Sequence, residues 1–268
     1  MNQPNDFIHC KNFINEFIGK HLNGDIHALL DFNFTSLRYD KRFGCNGRNF
    51  DCDDTNVTRA ICFLLWGETY PDITLSDIGT GKKYRGDTLN TFRTVLGAYL
   101  TEQSSCVGIE RSNASERLRA LAIKFYTIYH SIGNFILLPN IAESDNKRAY
   151  TLNTYRGTAY KDYFDSFLQQ LDMCLSAGNG DPRLNTLVHR NEFFFSWLNT
   201  NGGLKHFRKL CWLEDYFADD KPQAVFSPYV YCLRKKQEWT ELEKSYYIEH
   251  IEKYLLKATA IIKNRAKK

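Results

Sequence analysis

No stretch of this 268-residue sequence approaches the about 18 consecutive apolar residues of a membrane span, so no transmembrane helix is expected. It opens without a basic segment followed by an apolar one, so no secretory signal is expected either. None of its eight cysteines forms a CxxC pair or stands at zinc-finger distance from a histidine. They therefore read as reduced thiols of a cytoplasmic protein. The seven histidines form neither HxxxH nor HExxH, which excludes a dedicated zinc motif. A GxSxG elbow and a GxxxxGK[ST] phosphate loop are both missing, and Gly79-Thr80-Gly81-Lys82-Lys83 has a hairpin turn's composition without the loop's spacing. The six prolines are scattered and no Gly/Ser-rich linker occurs, which points to one domain over residues 1–268.

What is present is a core. Sixteen tyrosines, nineteen phenylalanines and four tryptophans are too many aromatics to leave in water, and a disordered chain is excluded. Helical spacing dominates: residues 7, 8, 14, 17, 18 and 22 share one face of a helix stopped by Asn23-Gly24, and Val57, Ile61, Leu64 and Leu65 mark a buried helix over 55–67. Further helices are expected from Asp87 or Thr88 to about 100 and from a capping box at Asn113 and Glu116 to about 131. Others are expected over 158–175, 184–198, 204–217 and 239–262. Strands are expected over 26–34 and 134–138, with a short hairpin inside 73–85. The fold class is mainly α with a small β element (α+β), in a single globular domain.

Charge is uneven. The net charge is +4, yet residues 234–268 alone hold ten Lys/Arg and five Asp/Glu. This region reads as a basic C-terminal helix and tail. The basic residues from Lys257 to Lys268 either complement the helix dipole or form an arm for nucleic acid. The polar stretch 38–54 reads as a long ordered loop, and its Asp51 and Asp53, with Asp40 and Asp54, could ligate a divalent cation or serve as turn caps.

Residues 130–165 carry the most chemistry. His130 ends a helix, Asn134 opens a strand, and Asn153-Thr154-Tyr155-Arg156-Gly157-Thr158 leads into the helix expected over 158–175. Amides at a helix start hold anions, and an arginine beside them supplies a fork for phosphate or carboxylate. Asp162 and Asp165, three apart, would face the same way as metal ligands or acid–base groups. Alternatively, Arg156 pairs with one of them and the group is structural. A near repeat, Thr88-Leu89-Asn90-Thr91-Phe92-Arg93 against Thr151-Leu152-Asn153-Thr154-Tyr155-Arg156, has unmatched flanks and gives no solenoid period.

Several of these pieces together resemble an uncharacterised bacterial family, a domain of unknown function met in scattered bacteria and mobile elements. They are Asp31-Phe32-Asn33-Phe34 through Arg38 and Asp40, Asp51, Asp53, Arg59 with Leu65-Trp66, and Gly133 to Pro139. Leu152-Asn153, Arg156-Gly157, Asp162, Phe164-Asp165, Glu192-Phe193-Phe194 and Leu213-Glu214-Asp215 complete the set. Cys62 and Asn134 depart from its pattern. The resemblance implies that residues 153–165 are a family feature; it implies no activity. A shorter likeness, His130-Ser131-Ile132-Gly133-Asn134-Phe135-Ile136-Leu137-Leu138, is similar to the Gly-Asn-Leu half of HNH endonucleases from defence systems, without the upstream Asp-His pair.

Three functions follow as expectations. The first is a cytoplasmic bacterial accessory protein, in phage or mobile-element defence, that binds a protein partner or a phosphate-bearing ligand. Its site would comprise Asn153, Arg156, Thr158, Arg59, Arg38, His130 and Asn134. The second is a nuclease or phosphoryl-transfer enzyme with Asp162 and Asp165 catalytic and Mg²⁺ at Asp51 and Asp53. The third is a nucleic-acid binder acting through the C-terminal helix.

Overall fold

The computed structural model describes residues 4–45, 52–79, 83–89, 116–141, 151–160, 163–226 and 241–268. Helix α1, Pro4–His21, has proline near its start, Asp6 in its first turn and Lys20 and His21 in its last, each suited to that end. Its Cys10, Ile14, Phe17 and Ile18 are buried at 3–4 spacing. They face helix α2, Asn56–Trp66, where Phe7 meets Phe63 at 4.7 Å between ring centroids. Thr55 caps α2, its Oγ1 accepting from the Thr58 amide, and seven of the eleven α2 residues are buried. Both helices fall where the periodicity places them.

Between them the expected strand over 26–34 is instead two 3-10 turns, Ile26–Asp31 and Phe34–Leu37. The cause is local polar chemistry. Asp25 accepts from the His27 amide and Asn33 from the Thr35 amide, so each side chain supplies the partner that a strand ladder would have given.

Strands β1, Tyr84–Asp87, and β2, Phe135–Pro139, pair antiparallel with Tyr84 opposite Pro139 and Asp87 opposite Phe135. The register slips at Gly86, whose φ of +144° only glycine adopts easily. The hairpin expected inside 73–85 is therefore corrected: β1 pairs with a strand about fifty residues on. Locally, among the described residues, Tyr84 bridges to Ile78 and its carbonyl accepts from the Gly79 amide. All five β2 residues are buried, covered on both faces, which is why this strand reads as an unbroken apolar run.

The second half is helical: α3, Glu116–Ile128; α4, Leu152–Tyr155; α5, Phe164–Ala177; α6, Pro182–Arg190; α7, Glu192–Thr200; α8, Gly203–Leu210; and α9, Glu241–Ala266. The expected helix over 184–198 is broken at Asn191, whose buried side chain donates to Leu187 O and accepts from the Ile141 amide. That over 204–217 ends at Leu210 and is followed by a 3-10 turn, Glu214–Tyr216, and a two-residue ladder of Phe217–Ala218 with Lys221–Pro222. The helix expected over 88–100 and the start at Asn113 lie outside the described residues. One hydrophobic cluster runs through all of this, from Cys10 in α1 to Ile262 in α9. The fold is mainly helical with two small antiparallel pairs of strands. No described helix is long and apolar enough to cross a membrane.

Candidate functional site

The 130–165 segment resolves into a lock. Thr151 caps a single turn, α4, by accepting from the Thr154 amide, and the chain then widens into a π turn, Arg156–Tyr160. The regular helix begins only at Phe164, later than residue 158. No long helix therefore opens beside Arg156, and the anion cradle expected there does not form.

Arg156 itself is 0% exposed. Its Nη2 lies 2.8 Å from Asp87 Oδ1, its Nη1 donates to Thr88 O, and Nε and Nη2 both donate to Asn153 Oδ1. Asn153 reaches this position because residue 86 is glycine: a Cβ there would stand 2.9 Å from Asn153 Oδ1. The fork expected to receive an outside phosphate thus holds the protein's own carboxylate, and the site reading for Asn153 and Arg156 is corrected accordingly. The first copy of the near repeat contributes Thr88, the second Asn153 and Arg156, and the two meet here.

The surrounding candidates are equally committed. Asn134, 0% exposed, accepts from Thr88 Oγ1 and the Leu89 amide and donates to Leu89 O and Tyr129 O. Asp165, 1% exposed, accepts from the Val225 and Phe226 amides at 2.7 and 2.9 Å. Burial pushes its carboxyl above the ordinary value, although those amides pull the other way. Through Oδ2 it anchors an incoming loop, while its buried Oδ1 has no hydrogen-bond partner. Asp162 and Asp51 lie outside the described residues. Asp53 sits in the 3-10 turn Cys52–Asp54, and neither its side chain nor that of Thr158 is described. Asp40 accepts from the Arg42 and Phe43 amides, the turn-capping role. No group of three His, Cys, Asp or Glu side chains that could hold a metal occurs among the described residues.

His130 Nδ1 and Cys52 Sγ are 2.5 Å apart in direct contact. Sulfur and nitrogen ligands of one zinc would be about 3.5 Å apart, so nothing fits between them. Cys52 is 1% exposed, which keeps its thiol from a substrate, while His130 is half-buried. Arg38, exposed at the end of its 3-10 turn, stacks over Tyr39 at 5.5 Å.

Arg59 differs. It lines a pocket of about 200 Å³ between α1 and α2, together with His9, Cys10, Phe13, Arg42, Asn56, Ala60 and Leu75. Its Nη2 donates to Leu75 O at 3.2 Å, and its buried Nε has no hydrogen-bond partner. A buried guanidinium N–H without an acceptor costs about 1–3 kcal/mol, more when charged, unless something else satisfies it. The neighbouring Arg42 is already paired through both Nε and Nη2 with Glu16. Cys10 forms part of the floor. Burial, then nearby Asp6, pushes its thiol up to about 11, so it adds no negative charge to the pocket. Arg59 was legible in the sequence, but His9, Cys10 and Phe13 were not. Only the position of α1 against α2 brings them to it.

Compared with protein-family models, with curated proteins and with solved structures, the chain finds no match.

Proposed function

We propose that this chain is a binding protein that captures an acidic group in the pocket between α1 and α2, with Arg59 as the anchoring cation. The observation that carries the reading is Arg59 itself, a cation that lines a cavity while its buried Nε has no acceptor from the protein. Folded proteins pair such donors almost without exception, so an acceptor from outside is the natural complement. His9, exposed at the pocket, can add a polar contact once a ligand enters. The role is recognition of a partner or ligand and requires no bond to be made or broken.

The reading is tested by calorimetric titration of the intact chain with acetate, benzoate, sulfate and phosphate at low ionic strength. At least one should bind saturably, and Arg59→Met should abolish that binding. If none saturates, the pocket is not a binding site for anions and the proposal fails.

A further inference from the structure

The geometry points to one class of occupant for the Arg59 pocket: a carboxylate carried on an apolar or aromatic body. This inference rests on the anion-binding reading above. The first argument is charge. Of the two arginines at the pocket, Arg42 is neutralised by its two-point pairing with Glu16 and is further occupied over the Phe13 ring, 5.5 Å from its centroid. Asn56 Nδ2 is spent on Arg42 O. No ion pair to Arg59 occurs among the described residues, yet the Asp54 carboxylate is near, its Oδ1 and Arg59 Cδ lying 2.2 and 3.6 Å from where a Gly79 Cβ would stand. This suits a monoanion better than a phosphate carrying close to two charges.

The second argument concerns donors. Phosphate sites at helix starts use a cradle of main-chain amides. At the start of α2 that cradle is closed. The Asn56 amide donates to Gly44 O, the Val57 amide to Phe43 O and the Thr58 amide to Thr55 Oγ1. What remains is the guanidinium of Arg59, whose Nη2 keeps one bond to Leu75 O and whose planar group suits a carboxylate.

The third is shape. Phe13, Ala60 and Leu75 give the cavity apolar walls. Its volume of about 200 Å³ compares with the about 150 Å³ of an apolar cavity that accepts benzene, so an aromatic acid fits. The same chemistry is presented by a small aromatic acid and by the C-terminal carboxylate of a peptide ending in an aromatic residue.

The test uses the full chain and five probes in calorimetry at low salt. They are benzoate, its neutral analogue benzamide, inorganic phosphate, and one short peptide ending in phenylalanine with its C-terminus either free or amidated. Benzoate should bind at least about tenfold more tightly than phosphate or benzamide, and Arg59→Lys should weaken it about tenfold, because an ammonium offers no flat fork. The Nε–H resonance of Arg59 should shift on benzoate addition, a readout that a merely structural role would not give. Free peptide binding better than both benzoate and amidated peptide supports the inference with a polypeptide as the source. Benzoate binding better than free peptide supports it with a small acid. Phosphate binding tighter than benzoate overturns the carboxylate inference and leaves the anion pocket standing. Failure of every probe overturns both.

Discussion

A guanidinium removed from water has five donors to place, and two arginines solve this in different ways. Arg265, 4% exposed, gives its donors to the carbonyls of Cys211, Gly133 and Phe135 and to Thr88 Oγ1. Arg156 relies on a carboxylate, Asp87. Removing one partner of a buried pair strands the other, so Asp87→Asn should cost about 3–5 kcal/mol in urea unfolding. A loss below about 1 kcal/mol would mean that Arg156 is hydrated and its ion pair dispensable. Asp165 gives a pH signature. Its folded pKa lies above the ordinary 3.8, so the folded state holds the proton more tightly than the unfolded chain does. Its contribution is greatest below that value and declines as pH rises through the raised one. The stability difference between the natural chain and Asp165→Asn should therefore shrink with rising pH over this acidic window. A rise would show that the amides of Val225 and Phe226 outweigh desolvation.

At the scale of elements, caps and close approaches decide where helices stop and how they meet. Asp181 caps α6 by accepting from the Arg183 and Leu184 amides, while Tyr155 and Tyr160 both donate to its other oxygen. One side chain thus fixes α6 to α4 and the π turn. Burial works against its charge, but the two tyrosines and two amides together hold its carboxyl below the ordinary 3.8. The stabilisation is present above that pH and fades as pH falls through the lowered value. Asp181→Ala should cost about 0.5–2 kcal/mol at neutral pH and less in acid, read by thermal melts across pH. Gly133 marks a close approach between elements far apart in the chain, because a Cβ there would lie 2.0 Å from Ile262 O in α9. Gly133→Ala must push α9 away, and a loss of about 1–3 kcal/mol or more is expected in denaturant unfolding.

Over the whole molecule, the C-terminal helix is a structural strut. Tyr254, Leu255, Ala258, Ile261 and Ile262 are buried in it, and one of its cations, Arg265, is buried with them. Lys257 donates to Val225 O, Lys263 approaches Asp31, Arg265 bonds the core carbonyls and Lys268 pairs with Glu214. Of the basic residues expected to form an arm, Arg265 is buried and serves the fold, whereas Lys257, Lys267 and Lys268 are exposed on the surface. Deletion of residues 263–268 should lower the melting temperature sharply, because three buried carbonyls lose their donor at about 1–3 kcal/mol each. An unchanged melting temperature, with weakened and salt-sensitive oligonucleotide binding, would restore the arm.

Helix positions with a strong apolar period, such as α1, α2 and the α9 face, follow from the chain's own pattern. So does β2, whose five apolar residues needed no partner to be recognised. The pattern misleads where a short polar side chain competes for the backbone, as Asp25 and Asn33 do in the turns over 26–37 and Asn191 does between α6 and α7. Arg156 was legible as a special residue, but its role was not. An arginine beside a helix start binds a guest or a resident depending on what stands opposite, and Asp87 comes from a strand 69 positions earlier. The sequence by itself determined most of the helical segments, their buried faces and two of the arginines that matter, Arg59 and Arg156. Only the tertiary structure decided which of those guanidiniums is sealed and which faces a cavity, because charge pairing depends on distances of a few ångströms between residues far apart in the chain.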